Sequence, residues 1–308
     1  MGGFFYEKRW INRKGAITIQ NKLLLFGKKT EGMIQRETIG VFDSGYGGLT
    51  ILREIVKDLP QYDYIYLGDN ARAPYGTRSF DVVYQYTNEA VRKLFDMGCR
   101  LVILACNTAS AKALRSIQQI DLPRLEPGKR VLGVIRPSVE ALAAYSRNRH
   151  IGIMATKGTV ASDSYPLEIE KLYGKGKFRI TQLACPMWVS LVENNELSGA
   201  GTEYFVQKYI NELLAADPEI DTVILGCTHY PLLRPIIARY MPEGIRIIEQ
   251  GGIIAESLAD YLKRHTEMEE SLSRNATMRY YTTENTDLFN QMAGNFLGQK
   301  IESAHISL

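Results

Sequence analysis

A chain of 308 residues, of which 45% are hydrophobic and 23% charged, can bury one large core or two ordinary ones, so a mostly disordered protein is excluded. Its longest apolar runs, such as LVILAC and TVILGC, are far shorter than the roughly 18 residues that cross a bilayer, so we expect no membrane partner. Residues 1–32 contain seven lysines and arginines and only two glutamates, so most of the positive charge lies there. The rest of the chain has a net charge of −2, against +3 for the whole chain, which argues against nucleic acid as a partner.

The first 32 residues form a basic N-terminal extension. They lack the continuous apolar segment of a signal peptide, since the run LLLF is followed at once by GKK. We expect residues 1–32 to be a disordered arm or not to be translated, with synthesis starting at Met33. Four cysteines without a signal peptide indicate a reducing compartment, and we expect the protein in the cytoplasm.

From residue 38 onward, apolar strand patterns alternate with helical patterns. TIGVFDS predicts a strand, GGLTILREIVKDL a helix that stops at Pro60, and YDYIYLGD a second strand. SFDVVYQYTNEAVRKLFDMG predicts a helix ending on Gly98, and the strand RLVILA and the helix ASAKALRSIQQ follow. This order predicts a parallel sheet with helices on both faces and ligands at the carboxyl ends of its strands.

A second series repeats this order. RHIGIMAT and KFRITQLAC predict strands, a long helical region runs through LVENNELSGAGTEYFVQKYINELLAA, and TVILG predicts another strand. We therefore predict an α/β protein with two pseudo-symmetric, doubly wound parallel-sheet domains and the active site in the cleft between them. The predicted domains are 33–134 plus 247–308, and 135–246. The alternative is that repeated βα units look alike in any doubly wound protein.

Two of the four cysteines share one surrounding. Cys106 in LVILACNTAS and Cys227 in TVILGCTHYP each follow a strand pattern and precede a helix start. The unpaired N–H groups and the dipole of a helix N-terminus favour thiolate, so we expect a lowered pKa at both. Cys99 and Cys185 lack these polar neighbours, and we expect them to be small core residues.

Other chemistries fit the sequence less well. A cysteine phosphatase needs an arginine six positions after its cysteine, where this chain has Lys112 and Leu233. A papain-like protease would leave the second cysteine unexplained. The glycines of FDSGYGG do not complete a GxGxxG dinucleotide loop, and no paired Cys/His spacing suits a metal. We expect neither a metal nor an organic cofactor.

Two opposed thiols suit removal of a proton from one face of a carbon and delivery to the other, which inverts a stereocentre. Asp43 and Ser44 end the first strand, where they can orient a thiol or hold an ammonium group. His229 lies two residues after Cys227 and can tune it. Glu193 is a further candidate acid or, alternatively, an ordinary helix-surface carboxylate.

Six ordered blocks, spanning about residues 38–240, resemble the signature motifs of bacterial glutamate racemases: FDSGYGGLTILREI, YLGDNARAPYGTRS, VILACNTASA, ATKGTV, ACPMWVSLVE and VILGCTHYPLL. The resemblance implies a cofactor-independent enzyme that interconverts L- and D-glutamate for peptidoglycan synthesis and forms a homodimer. It implies that Cys106 acts on the D-isomer and Cys227 on the L-isomer, assisted by Asp43, Glu193 and His229. The implied substrate contacts are Asp43, Ser44, Pro74, Tyr75, Gly76, Cys106, Asn107, Thr108, Thr156, Thr159, Cys227, Thr228 and His229.

Some positions depart from the pattern of these racemases. Arg136 stands where many members carry a carboxylate, Asn70 where threonine is frequent, and Glu249-Gln250 where an Asp-Ser pair is usual. We expect these changes to affect the hinge, the dimer interface or regulation rather than the catalytic residues. Two alternatives remain open: a racemase of another acidic amino acid such as aspartate, and a non-catalytic protein of the same fold that binds an acidic amino acid.

Overall fold

The computed structural model describes residues 37–125 and 127–308, which contain two parallel β-sheets; the predicted extension, 1–32, and the start at Met33 lie outside these residues. The first sheet contains β1 (Thr38–Asp43), β2 (Tyr64–Gly68), β3 (Cys99–Leu104) and β4 (Arg130–Gly133). The second contains β5 (His150–Ala155), β6 (Arg179–Ala184), β7 (Thr222–Gly226) and β8 (Arg246–Ile248). Two later strands, β9 (Met278–Thr282) and β10 (Ser303–His305), return to the first sheet.

Helices connect the strands. They are α1 (Gly48–Asp58), α2 (Phe80–Asp96), α3 (Asn107–Lys112), α4 (Leu114–Ser116), α5 (Ile135–Glu140), α6 (Leu142–Tyr145), α7 (Lys157–Ala161), α8 (Ser164–Tyr173), α9 (Pro186–Glu193), α10 (Ala200–Ala216), α11 (Arg234–Tyr240), α12 (Gln250–Arg264), α13 (Thr266–Ser271) and α14 (Thr286–Leu297). Within the described part of the chain, none of the helices has the length and apolarity needed to cross a membrane.

The two sheets repeat one strand order. The first runs β10-β9-β2-β1-β3-β4 and the second β6-β5-β7-β8, so the order second-first-third-fourth occurs in both. The pairs in both sheets are parallel. Strand order reverses between β1 and β3 and between β5 and β7, where doubly wound sheets bind ligands at the carboxyl ends of the strands. The predicted α/β class with two doubly wound parallel sheets is confirmed.

We call the six-stranded sheet with its connections (38–125, 127–133 and 278–305) the first lobe, and the four-stranded sheet with its connections (150–248) the second lobe. The intervening segments, 134–149 and 249–277, contain α5 and α12, which pack against each other. Because β8 pairs with β7, the predicted domain boundary between residues 246 and 247 falls inside a strand of the second sheet.

Local sequence explains where the elements begin and end. Strand β7 is buried along its whole length, as an apolar run covered by helices on both faces should be. Helix α2 begins after Ser79, whose Oγ accepts the Val82 N–H, and ends before Gly98, whose φ of 89° favours glycine. In the second lobe the buried Trp188 ring packs edge-on against Tyr230 at 4.8 Å. Truncating such a core aromatic typically costs about 3–5 kcal/mol.

The elements differ from prediction in two places. The predicted long helical region is two helices, α9 and α10, because the intervening residues include Asn195 at φ 57° and Gly199 at φ 99°, which no α-helix accommodates. The short strands β4 and β10 lie in segments for which we predicted no strand. Each is an edge strand of the first sheet, so its pairing depends on residues far away in sequence.

Candidate active site

A cavity of about 220 Å³ opens where the strands of both sheets end. Its size is below the roughly 300–1,000 Å³ of pockets for drug-sized ligands, which suits a small metabolite. All the predicted site residues line it except Asp43 and Thr159, which lie behind the wall. The lining residues that we predicted are Ser44, Pro74, Tyr75, Gly76, Cys106, Asn107, Thr108, Thr156, Glu193, Cys227, Thr228 and His229.

Cys106 lies where β3 turns into α3 and caps that helix. Its Sγ accepts the Ala109 backbone N–H at 3.4 Å and lies 3.5 Å from Ser44 Oγ. Burial nevertheless raises the pKa of the Cys106 thiol to about 12; the charge of Asp43 adds to the rise, and the hydrogen bonds from Ser44 and Ala109 oppose it. The expected lowering of this pKa is therefore wrong, because the closed cavity desolvates the thiolate more than the helix start stabilises it.

Asp43 ends β1 beneath the cavity and is fully buried. Its Oδ1 accepts the Gly45 N–H at 3.2 Å, while Oδ2 has no hydrogen-bond partner among the described residues. Burial raises the pKa of this carboxyl, and the nearby His229 opposes the rise. The charge of Asp43 raises the pKa of Cys106, and the Ser44 hydroxyl is the side-chain group in contact with this thiol.

Cys227 follows β7 directly and belongs to a relay of three side chains. His229 Nδ1 lies 3.9 Å from Cys227 Sγ, and His229 Nε2 lies 3.0 Å from Glu193 Oε1. Burial alone would lower the pKa of His229, but its hydrogen bonds to Cys227 and Glu193 and the charges of these two groups together outweigh burial and raise the pKa to about 10. The raised pKa favours the imidazolium form of His229, and an imidazolium beside Cys227 can stabilise a thiolate there. Glu193 thus lines the cavity and contacts His229, which favours its reading as a candidate acid over that of an ordinary surface carboxylate.

Three threonine hydroxyls meet across the lobes. Thr108 Oγ1, from the first lobe, lies 3.0 Å from Thr156 Oγ1 and 3.5 Å from Thr159 Oγ1, both from the second. Thr156 also caps α7 by accepting the Thr159 N–H at 3.2 Å. Buried hydroxyls and a helix N-terminus together form a place where an anionic carboxylate is well bound.

The loop after β2 supplies Tyr75 and Gly76. The Tyr75 hydroxyl donates to Asp69, which also accepts from Arg72 Nε at 2.6 Å, so the ring is held in a buried position. A Cβ on Gly76 would lie 3.0 Å from Thr156 Cβ, closer than side chains normally pack. Glycine therefore lets this first-lobe loop touch the second lobe at the cavity.

A second glycine brings the lobes together on the opposite side. A Cβ on Gly47 would collide with Thr228 Oγ1 and with the His229 ring. Thr50 Oγ1, one turn further along α1, lies 3.0 Å from the Thr228 carbonyl oxygen, to which it donates. The start of α1 therefore packs directly on the segment that carries Cys227.

Seven lining residues were not predicted: Ala73, Thr77, Lys157, Cys185, Pro186, Val189 and Ser190. Cys185 is buried, as expected of a core residue, but that assignment is incomplete because it also faces the cavity. Its position between β6 and α9 repeats the strand-cysteine-helix arrangement of the other two site cysteines. That repeated arrangement was a signal available in the sequence. The other six lining residues that we did not predict have no comparable sequence signal.

The residues that differ from the sequence pattern of glutamate racemases lie around the site. Arg136 in α5 pairs with Glu140 at 2.7 Å and with Glu168 at 3.3 Å, so it joins α5 to the second lobe. Asn70 Oδ1 accepts from Thr282 Oγ1 at 3.0 Å, inside the first lobe. Glu249 pairs with Arg234. These three lie outside the cavity lining.

Known proteins share this sequence and architecture. The family model Asp/Glu/Hydantoin racemase matches residues 39–258. A glutamate racemase from Listeria monocytogenes serotype 4a (strain HCC23) is 39% identical over 263 residues, which cover 85% of this chain and 94% of that protein. The structure of a glutamate racemase isoform from Bacillus anthracis matches with a TM-score of 0.78 and 32% identity, covering 89% of this chain and 98% of that one.

A second solved structure, glutamate racemase from Francisella tularensis in complex with D-glutamate, matches with a TM-score of 0.77 and 30% identity over 89% of this chain and 98% of that one. The sequence match, the shared fold and the paired cysteines around one cavity agree with each other. The chain belongs to the Asp/Glu/hydantoin racemase family, and the relatives named above are glutamate racemases.

Proposed function

We propose that this protein is a cofactor-independent glutamate racemase that interconverts L- and D-glutamate with two thiols. The observation that carries the proposal is the placement of Cys106 and Cys227. They follow β3 and β7, the equivalent third strands of the two repeats, and both line the same cavity. Two bases on opposite lobes can reach opposite faces of one carbon, which is what inversion of a stereocentre requires.

In the direction from D- to L-glutamate, the Cys106 thiolate removes the Cα proton, so a C–H bond breaks and an S–H bond forms. The electron pair delocalises into the α-carboxylate. The Cys227 thiol then delivers its proton to the opposite face, and Cys227 is left as a thiolate. The imidazolium of His229, 3.9 Å from Cys227 Sγ, stabilises that thiolate. The reverse direction exchanges the roles of the two cysteines.

The surrounding groups have distinct parts in this mechanism. Ser44 Oγ and the Ala109 N–H stabilise the Cys106 thiolate, and Glu193 keeps His229 protonated. Asp43, buried with one unpartnered oxygen among the described residues, modulates Cys106 by its charge. We assign binding of the substrate carboxylates and ammonium to Ser44, Pro74, Tyr75, Gly76, Asn107, Thr108, Thr156, Thr228, His229 and both cysteines, while Asp43 and Thr159 support this wall from behind.

Catalysis without a cofactor requires the protein itself to stabilise the carbanion. Fixed hydroxyl and N–H donors in a water-excluding cavity provide this stabilisation, because they need no reorganisation as charge develops. Thr108 and Thr156 are only 3% and 9% exposed, so their hydroxyls are held in a dry environment. Substrate entry into so enclosed a cavity requires the lobes to part and then close.

Circular dichroism tests the substrate. Purified protein incubated with L-glutamate should lose the ellipticity of the amino acid to zero, and L-aspartate should keep its signal. Loss with aspartate alone would make the enzyme a racemase of that amino acid. Binding of glutamate in calorimetry with constant ellipticity would make it a non-catalytic binding protein.

We also propose the cellular setting. The four cysteines of the chain are free thiols, which suits the reducing cytoplasm. There the product D-glutamate would serve peptidoglycan synthesis. We propose a homodimer, as the resemblance to glutamate racemases implies. Analytical ultracentrifugation across a concentration range measures this state directly.

A further inference from the structure

Gln250 is a buried amide beside the cavity. It begins α12 and is 2% exposed. Its Oε1 accepts from Asn107 Nδ2 at 2.7 Å, and its Nε2 lies 2.9 Å from the Tyr165 hydroxyl and 2.7 Å from Ser138 Oγ. The Tyr165 hydroxyl in turn donates to Asn107 Oδ1 at 2.8 Å. Asn107, Tyr165 and Gln250 thus close a hydrogen-bonded ring, which we call the amide triangle.

The amide triangle joins different parts of the molecule. Asn107 begins α3 in the first lobe, Tyr165 lies on α8 in the second lobe, and Gln250 begins the intervening α12. All three side chains are at most 2% exposed. In such a buried setting a polar group that loses its hydrogen-bond partner is destabilising, so the ring resists rearrangement.

One backbone carbonyl fixes the direction of every hydrogen bond in the amide triangle. The Val134 oxygen can only accept; it receives the Ser138 hydroxyl at 2.7 Å and lies 3.3 Å from Gln250 Nε2. The nitrogen of the Gln250 amide must therefore face Val134, and its oxygen must face Asn107. The Asn107 group that meets this oxygen is consequently the NH₂, and Asn107 Oδ1 is left to accept from Tyr165.

This chain of constraints determines what Asn107 offers to a ligand. Asn107 lines the cavity, one of its two amide hydrogens is donated to Gln250, and its oxygen accepts from Tyr165. The second amide hydrogen remains for the substrate. A flipped amide would instead bring its oxygen toward a substrate carboxylate, which is repulsive.

We propose that Gln250 is a positioning residue: through the amide triangle it holds Asn107 so that an N–H, and not the carbonyl oxygen, faces the substrate carboxylate. This inference rests on the proposed racemase function. It gives Gln250 a role in substrate binding, although the sequence placed this departure from the usual Asp-Ser pair away from the site.

The first test is Gln250→Met, which keeps an unbranched side chain of similar length and removes both hydrogen-bonding groups. A hydrogen bond to a charged group contributes about 1.5–3 kcal/mol, which corresponds to a loss of roughly tenfold or more in affinity. We therefore expect KM for both enantiomers to rise about tenfold while kcat changes less, because the carboxylate is held in the ground state and in the transition state. Circular dichroism and thermal melting report whether the variant is folded.

Tyr165→Phe is a second variant that keeps the buried ring and removes only the hydroxyl, and it should raise KM in the same way. The matched control is Tyr173→Phe on the same helix. The Tyr173 hydroxyl donates to the carbonyl oxygens of Val139 and Glu140 in α5, so it bonds to the same part of the fold without touching Asn107. KM of this control should equal that of the wild type.

The decisive measurement is a double-mutant cycle with Asn107→Ala. If Gln250 acts through Asn107, Gln250→Met should raise KM no further once the Asn107 amide is absent. An equal rise of KM in both backgrounds would overturn the inference and leave the racemase function intact. Wild-type protein that fails to racemise glutamate would overturn the proposed function, and the inference with it, before any variant is compared.

Discussion

Glu193→Gln tests the relay that supports Cys227. The difference between the ordinary His229 pKa of 6.5 and about 10 corresponds to about 5 kcal/mol in favour of the imidazolium, after burial has been offset. The hydrogen bond to the Glu193 carboxylate, 3.0 Å long, is one of two that provide it. A charge-assisted hydrogen bond contributes about 1.5–3 kcal/mol. The His229 pKa in the glutamine variant should therefore be lower by about one to two pH units.

NMR titration of the imidazole signals measures this change directly. The chain has four histidines, and the signal missing from a His229→Gln variant identifies the one in the site. Because the folded protein holds this proton more tightly than the unfolded chain, the linked stability is complete below about pH 6.5 and is lost as the pH rises through about 10. Denaturant unfolding of the wild type should follow this loss, and the glutamine variant should show less of it.

Glu196→Gln is the matched control. It removes the same charge three residues further along, at an exposed position, and should leave the His229 titration unchanged. A wild-type His229 that titrates near its ordinary pKa, or one that ignores Glu193→Gln, would refute the relay. Kinetics add a second check, since kcat from L- to D-glutamate should fall when the Cys227 thiolate loses this support.

The remaining predictions concern the thiols and the contact between the lobes. Cys227→Ser should abolish racemisation but keep exchange of the Cα hydrogen of D-glutamate in D₂O, and Cys106→Ser should keep exchange of L-glutamate; the opposite pattern contradicts the assignment. Because the Cys106 pKa is raised to about 12, kcat/KM should increase with pH from about 7 to 9, and a flat profile contradicts this. The increase in kcat/KM should be equal for L-glutamate and D-glutamate, since enantiomers have equal free energies. Gly47→Ala should lower the free energy of unfolding by about 1–3 kcal/mol and reduce turnover, whereas Gly252→Ala, with open space around it, should do neither.

Local sequence was sufficient to predict the strand ends and the residues that stand there. Cys106 and Cys227 could be identified because a buried strand and a helix start each leave a pattern within about ten residues. The pairing of β8 with β7 and of β9 with β2 could not be predicted in this way, because it depends on which distant segments the chain brings together. The short edge strands β4 and β10 were missed for the same reason.

The electrostatics of the site also depended on tertiary structure. A helix N-terminus predicts a low thiol pKa, but burial in the folded protein and then the charge of Asp43 raise the pKa of Cys106. Val189 and Ser190 were missed because α9 has the composition of a core helix, and only the fold shows that part of it faces the cavity. Gln250 was recognised as unusual, yet its contact with Asn107 spans 143 positions in sequence.

The repeated strand order sets a limit on how alike the two halves can be. A two-fold rotation that exchanges the lobes also exchanges the two faces of a planar carbanion, which suits a pair of equivalent thiols. The axis can lie along only one of the three bonds around that carbon, so the rotation swaps the other two substituents. Groups at equivalent positions must then bind chemically different partners. Asp43, the last residue of β1, and Thr156, the residue directly after β5, differ in this way, an acid in one half and a hydroxyl in the other. The duplicated framework therefore supplies a symmetric reaction, and divergence at such paired positions supplies recognition of an asymmetric substrate.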